Sequence, residues 1–144
     1  MRDRYQVLVF SYFKKKSGLR YLILKRSDNS CWQGIAGGGE MNESPLEAAR
    51  REAFEEAGIP MNANYISLDS MCTVPIRYFP ELASTDGSLV IPEYAFGVES
   101  KTMDVCLSIE HTEYTWSSYE EAVDKLKWDS NVNALWELHT RLNQ

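Results

Sequence analysis

The sequence predicts a single α/β domain, a sandwich of helices around a mixed β-sheet. Three observations predict it. β-rich runs lie on both sides of one strongly capped helix, two further helical patterns close the chain, and 144 residues suit one compact core. YQVLVFSYF (5–13) and LRYLILKR (19–26) are rich in β-formers, and the intervening KKKSG carries a glycine turn, so the pair reads as a β-hairpin. RSDNSCWQGIAGGG (26–39), punctuated by Gly34 and Gly37–Gly39, reads as a turn-rich connection.

The best-marked helix follows, over 45–57. Ser44 is placed to cap it, Pro45 fits the first helical position, Glu47 completes a capping box, and Gly58 then Pro60 end it. YISLDSMCTVPIRYF (65–79) reads as a long strand with a break at Pro75, ELASTDGSLV (81–90) as a loop and IPEYAFGVES (91–100) as a strand. VCLSIEHTEYTWSS (105–118) reads as a further, bent strand. SYEEAVDKLK (118–127) and NVNALWELHTRL (131–142) read as helices, the last with Val132, Leu135, Trp136, Leu138 and Leu142 as its apolar face.

Bulk properties narrow the class of function. The net charge of −6 argues against a nucleic-acid polymer as partner, because such partners need a basic footprint. A small anionic substrate remains compatible if a bound cation supplies positive charge. No apolar run reaches the ~18 residues of a membrane span, and MRDRYQVLVF lacks a signal-peptide layout; the expectation is a cytoplasmic protein with no membrane partner. Cys31, Cys72 and Cys106 are odd in number and far apart, which reads as free thiols rather than a disulfide framework or zinc site. Monomer and homodimer are both compatible with the sequence.

The chemistry concentrates in GGGEMNESPLEAARREAFEEAGI (37–59). On a helical wheel Leu46, Ala49, Ala53 and Ala57 form a narrow stripe, while Glu52, Glu55 and Glu56 share a separate arc beside Arg51. One reading is a solvated acidic face. Yet carboxylates near a helix C-terminus oppose the helix dipole, and a glycine-rich loop before a helix suits phosphate oxygens. The alternative is that the carboxylates bind hard divalent cations, which take oxygen ligands and share them with phosphates.

The stretch resembles the signature of the Nudix hydrolase superfamily, G-x5-E-x7-R-E-U-x-E-E-x-G-U, where U is a bulky aliphatic. Gly37, Glu43, Arg51, Glu52, Glu55, Glu56, Gly58 and Ile59 stand in register, and Ala53 is smaller than the usual aliphatic. The resemblance implies an α/β/α sandwich that cleaves a nucleoside diphosphate linked to another group, using Mg²⁺ or Mn²⁺. It implies Glu52, Glu55 and Glu56 as metal ligands, Arg51 orienting them, Glu43 supporting the loop–helix junction, and Gly37 and Gly38 passing close to phosphate.

Outside this box the chain is similar to bacterial dihydroneopterin-triphosphate pyrophosphohydrolases, a Nudix subfamily. Arg26 precedes Trp32-Gln33, and Glu110, His111, Tyr114, Trp116, Trp128 and Asn131 fall on that subfamily's positions, with Cys31 in place of an aromatic. The resemblance implies Glu110 as a further metal ligand or general base, and Arg26, Trp32, Trp128 and Asn131 as contacts for the phosphates or a planar ring. Each has a bland counterpart: Arg26 as a surface charge, Trp32 and Trp116 as core aromatics, His111 as structural, and 129–131 as a helix cap. A regular strand over 109–116 would put Glu110 on one face with Tyr114 and Trp116. The expected reaction is Mg²⁺-dependent cleavage of a pterin or nucleoside triphosphate to monophosphate and pyrophosphate, with Glu55, Glu110 or another box glutamate as base. Nucleoside triphosphates, dinucleoside polyphosphates and a non-catalytic regulatory role are the alternatives.

Overall fold

A computed structural model describes residues 1–82 and 87–144. β1 (Arg2–Lys15) and β2 (Gly18–Arg26) form the expected hairpin. β1 is buried over most of its length because it is covered on both faces. Tyr5, Val7 and Val9 point to one core and Leu8, Phe10 and Tyr12 to the other, as a period of two requires.

The glycine-rich stretch departs from the expected connection. It forms β3 (Trp32–Gln33) and β4 (Ile35–Glu40), and β4 runs antiparallel to the N-terminal half of β1. Glycine weakens a strand by itself, so the partner edge rather than local propensity makes this one. β2 pairs with β1 only near the turn and then leaves it for β7, which frees that edge for β4.

α1 (Pro45–Ala57) has the expected boundaries. The Ser44 side chain and Glu47 form a reciprocal capping box, and Gly58 closes the helix with φ 77°. Its buried stripe is Ala48, Ala49, Ala53 and Ala57; Leu46 lies at the surface, one turn before the helix meets the sheet closely. β5 (Tyr65–Pro75) stops at Pro75 as expected, followed by short 3₁₀ turns at Ile76–Tyr78 and Pro80–Leu82. Part of the expected loop at 81–90 lies outside the described residues.

β6 (Val90–Glu99) inserts between β5 and β1, antiparallel to the first and parallel to the second, so the sheet is mixed. β7 is only His111–Ser117. Residues 105–110 are not strand; the Cys106 N–H instead donates to the Ala57 carbonyl at the end of α1, 3.1 Å. Glu110 therefore sits in the turn before β7, not on a strand face with Tyr114 and Trp116. Trp116 is half-buried and donates its indole N–H to the Met103 carbonyl.

α2 (Tyr119–Lys125) and α3 (Asp129–Leu142) cover the face opposite α1. The buried side of α3 is Asn131, Ala134, Leu135 and Leu138, while Trp136 is 58% exposed and does not belong to the apolar face. Glu137 ties α3 to β5. Its carboxylate accepts from the Asp69 and Ser70 N–H groups and from the Ser70 hydroxyl at 2.7, 2.7 and 2.6 Å. These two amides lie where the β5–β6 register slips, so a side chain replaces the ladder partners that they lack.

Candidate functional site

β4 and α1 build one wall of the site. Gly37 faces α1 so closely that an added Cβ would lie 2.2 Å from the Glu52 carboxyl carbon. Glycine is required there by close approach, not by dihedral freedom. On the other side of the backbone, Gly38 lies against the Arg2 guanidinium.

Arg51 organises the acidic helix face. Its Nε and Nη2 donate to the two Glu43 oxygens at 2.8 and 3.0 Å, Nη1 donates to Glu52 at 3.0 Å and Glu55 at 3.2 Å, and Nη2 also reaches the Gly38 carbonyl at 2.8 Å. One rigid planar fork thus fixes the loop, the strand and two glutamates at once. Hydrogen bonding from Arg51 holds the Glu43 carboxyl below its usual range. Tyr5 adds a brace by donating its hydroxyl to the Glu43 carbonyl at 2.7 Å.

Glu56 has no such support. Its side chain is 2% exposed, no N–H or hydroxyl donor reaches either oxygen, and its one hydrogen-bonding neighbour is the Glu52 carboxyl. Burial, then the nearby Glu52 and Glu110 charges, push its carboxyl up to about 9. Burial also raises Glu52, against the pull of Arg51. His111 lies in the same pocket of protein with its Nε2 3.5 Å from Glu56 Oε1, beyond a good hydrogen bond. Burial lowers the imidazole's affinity for a proton, so it brings no countercharge.

The glutamate arc divides. Glu56 is buried and Glu52 half-buried, with Glu110 in electrostatic range of Glu56, whereas Glu55 is 53% exposed and paired with Arg51. Among the described residues no three acidic, histidine or cysteine side chains converge on a single point. The donor set nevertheless fits a hard divalent cation: a buried carboxylate with no cationic or amide donor, a second carboxylate beside it, and a glycine that lets Glu52 come up against the β4 backbone. A buried carboxylate without partners is costly, and a cation offsets that cost.

Glu52 and Glu110 open into a cleft of about 770 Å³, well within the range of small-molecule sites. It brings together Arg26, Gly37, Gly38, Glu52, Glu110, Trp128 and Asn131, seven residues expected at the site from the sequence. Arg26 is held by Asp28 through paired contacts of 2.9 Å. The turn bearing Glu110 is anchored beside it, because the Glu110 carbonyl accepts from the Ser27 N–H at 3.0 Å. Asn131 is buried and its Oδ1 accepts from the Gly34 N–H at 2.8 Å, a structural task that also fixes the start of α3 against β4.

Glu43, Arg51, Glu55 and Glu56 stand behind Glu52 rather than in the cleft lining, and Trp32 lies away from the site altogether. It packs with the core under α2 and α3, with the Lys125 ammonium 5.2 Å above its ring, and only its neighbour Gln33 reaches the cleft. The cleft also takes in residues not expected from the sequence, among them Arg2, Gln6, Tyr78, Phe79 and Glu93. Only Glu93 left a signal, as an acid at the centre of the alternating IPEYAF run.

A mixed sheet between helical layers, with an arginine-locked glutamate helix over a glycine strand at a cleft, defines a hydrolase of phosphoanhydride bonds. The chain belongs to the Nudix hydrolases: the NUDIX domain family matches residues 3–136. It is 28% identical over 138 residues to the dihydroneopterin triphosphate diphosphatase of Haemophilus influenzae, covering 93% of this chain and 86% of that one. It is 31% identical over 128 residues to the Escherichia coli K12 enzyme of the same name, covering 81% and 80%. A Listeria monocytogenes protein described as a NUDIX hydrolase superposes with a TM-score of 0.88 at 38% identity, covering 98% and 95%. No helix among the described residues is long and apolar enough to cross a membrane.

Proposed function

We propose that this Nudix hydrolase cleaves dihydroneopterin triphosphate to the monophosphate and pyrophosphate in a reaction that depends on Mg²⁺ or Mn²⁺. The observation that carries the reading is that one cleft joins Glu52 of α1 and the nearby Glu110 to an aromatic, polar-floored end containing Trp128 and Asn131. The similarity to diphosphatases named for that substrate supports a pterin as the ring.

Glu52, Glu56, Glu55 and Glu110 would hold the metal, which when bound neutralises phosphate charge and lowers the pKa of a water. Arg51, held by Glu43, keeps Glu52 and Glu55 aimed, and Gly37 and Gly38 let Glu52 and Arg2 come up against the β4 backbone, where both can face the phosphate chain. Arg26 and Arg2, both lining the cleft, take up negative charge at the phosphates. Water attacks in line at a phosphorus of the α–β bridge, a glutamate carboxylate (Glu55, Glu110 or another of the acidic set) accepts its proton, and the bridging P–O bond breaks to release pyrophosphate.

The test is hydrolysis of a panel of dihydroneopterin triphosphate, common and 8-oxo nucleoside triphosphates, and diadenosine polyphosphates, with and without Mg²⁺. The reading requires the pterin to be turned over fastest with pyrophosphate released. Rapid turnover of another member beside a flat pterin signal would overturn it.

A further inference from the structure

The cleft has an end beyond α1, and its floor is a single row of residues across the sheet. Gly38 pairs with Gln6, Gln6 with Glu93, and Glu93 with Cys72, on β4, β1, β6 and β5. Directly paired residues share a face, and on β1 this is the face of Leu8 and Phe10 under α2 and α3. Along β6 the neighbours of Glu93 on that face are Ile91 and Ala95, both buried. A carboxylate stands where the pattern calls for an apolar residue.

Glu93 is 8% exposed and yet lines the cleft together with Trp128, Ser130 and Asn131. The Cys72 thiol donates to Oε1 at 3.4 Å, a weak donor for a group that can accept about four hydrogen bonds. Burial raises its carboxyl, with Cys72 and Ser130 holding it partly back. Such a group is costly without strong donors. Gln6 spends its Oε1 on Arg2 at 2.7 Å, so its amide N–H₂ is the end left for a ligand. Trp128 packs edge-on to Tyr78, centroids 6.5 Å apart, forming an aromatic wall beside the row.

We propose that Glu93 is a specificity-determining residue that reads a 2-amino-4-oxopyrimidine ring, the edge shared by pterins and guanine, while Trp128 flanks the ring plane. This deepens the pterin reading and rests on it for the direction in which substrate lies in the cleft. That ring presents two adjacent N–H donors, one on the ring and one exocyclic, which match the two oxygens of an acceptor-only carboxylate. Adenine sets a ring acceptor beside its amino group and is repelled; hypoxanthine offers one donor and loses the second contact. The spacing agrees: Glu93 is two strands, roughly 10 Å, from Gly38, so a ring at Glu93 leaves its phosphates at the Gly38, Arg26 and Glu52 end.

The experiment compares GTP with ITP, which differ only in the 2-amino group, each measured as substrate and as competitive inhibitor of dihydroneopterin triphosphate hydrolysis. Wild type is expected to prefer GTP by at least about tenfold in kcat/KM or Ki, since a site built around a substrate N–H rejects the analogue lacking it. In Glu93→Gln the preference falls below about threefold through KM and Ki, and Glu93→Asp, checked with it for folding by circular dichroism, loses it in the same direction. A wild-type ratio near one, or a ratio that survives in both variants, overturns the proposal. If the pterin is ignored as a substrate, the pair is run against whichever triphosphate is hydrolysed. A Glu93-dependent GTP preference then sinks the pterin reading and leaves the role of Glu93 standing.

Discussion

Replacing Glu56 by Gln should make the metal-free protein more stable while removing its activity. The Glu56 carboxyl is 2% exposed, receives no donor from an N–H or hydroxyl group, and is pushed up to about 9 by burial and by Glu52 and Glu110. In the unfolded chain it titrates near 4.5. Between those values the folded state binds the extra proton, so this group lowers stability as pH rises from about 4.5 toward 9, and the penalty is absent below 4.5. At pH 7 the gap is about 2.5 units, which corresponds to ~3 kcal/mol at 1.36 kcal/mol per unit. Gln has the same shape and no proton to hold, so Glu56→Gln should recover most of that at pH 7, an increase of roughly 10 °C in Tm for a domain of this size. The gain should vanish near pH 4.5. Thermal and urea unfolding of both proteins in chelator, from pH 4.5 to 9, measure it. The same variant should lose orders of magnitude in kcat, because the amide cannot replace an anionic ligand. A variant no more stable than wild type at pH 8, or a gain independent of pH, would refute the burial argument.

Two further outcomes follow from single contacts. Glu137, held down to about 2 by donors that outweigh its burial, chiefly the Ser70 hydroxyl and the Asp69 and Ser70 amides, contributes stability above about pH 4.5 that is lost as pH falls toward 2. Glu137→Gln should therefore cost up to ~3 kcal/mol at pH 7 and little at pH 2.5, read by urea unfolding at both values; an equal loss at both would contradict the assignment. Gly37→Ala places a methyl 2.2 Å from the Glu52 carboxyl carbon, so Glu52 must move; kcat is expected to fall by about 10²-fold, the scale of a 1 Å misplacement, with a smaller effect on Tm.

Legibility in the sequence followed the range of the interaction. The caps of α1 are local chemistry, and Ser44, Glu47 and Gly58 mark its ends to the residue. The hairpin and the period of two in β1 are equally local. β4 was hidden because three glycines carry no strand signal, and its partner edge exists only once β2 diverges toward β7. Residues 105–110 carry strand-like residues but are claimed by the C-terminus of α1 through Cys106 and Ala57. In the site, the box residues were legible because their spacing is fixed by one helix and one loop. Trp32 read as a ligand contact on the strength of its neighbours in sequence, yet alternation along β3 sends Gln33 to the cleft and Trp32 to Lys125. Arg2 and Gln6 gain meaning only from the register that sets them beside Gly38 and Glu93.

The central claim, that the Glu52 and Glu56 carboxylates of α1 are completed by a divalent cation, is tested most directly by Mn²⁺ titration followed by electron paramagnetic resonance and proton release together. Wild type should bind Mn²⁺ with release of about one proton per protein near pH 7.5, because a ligand held protonated must ionise on binding, and affinity should rise with pH. Glu56→Gln should bind more weakly and release none. Equal binding by both proteins, or binding without proton release, would contradict the claim.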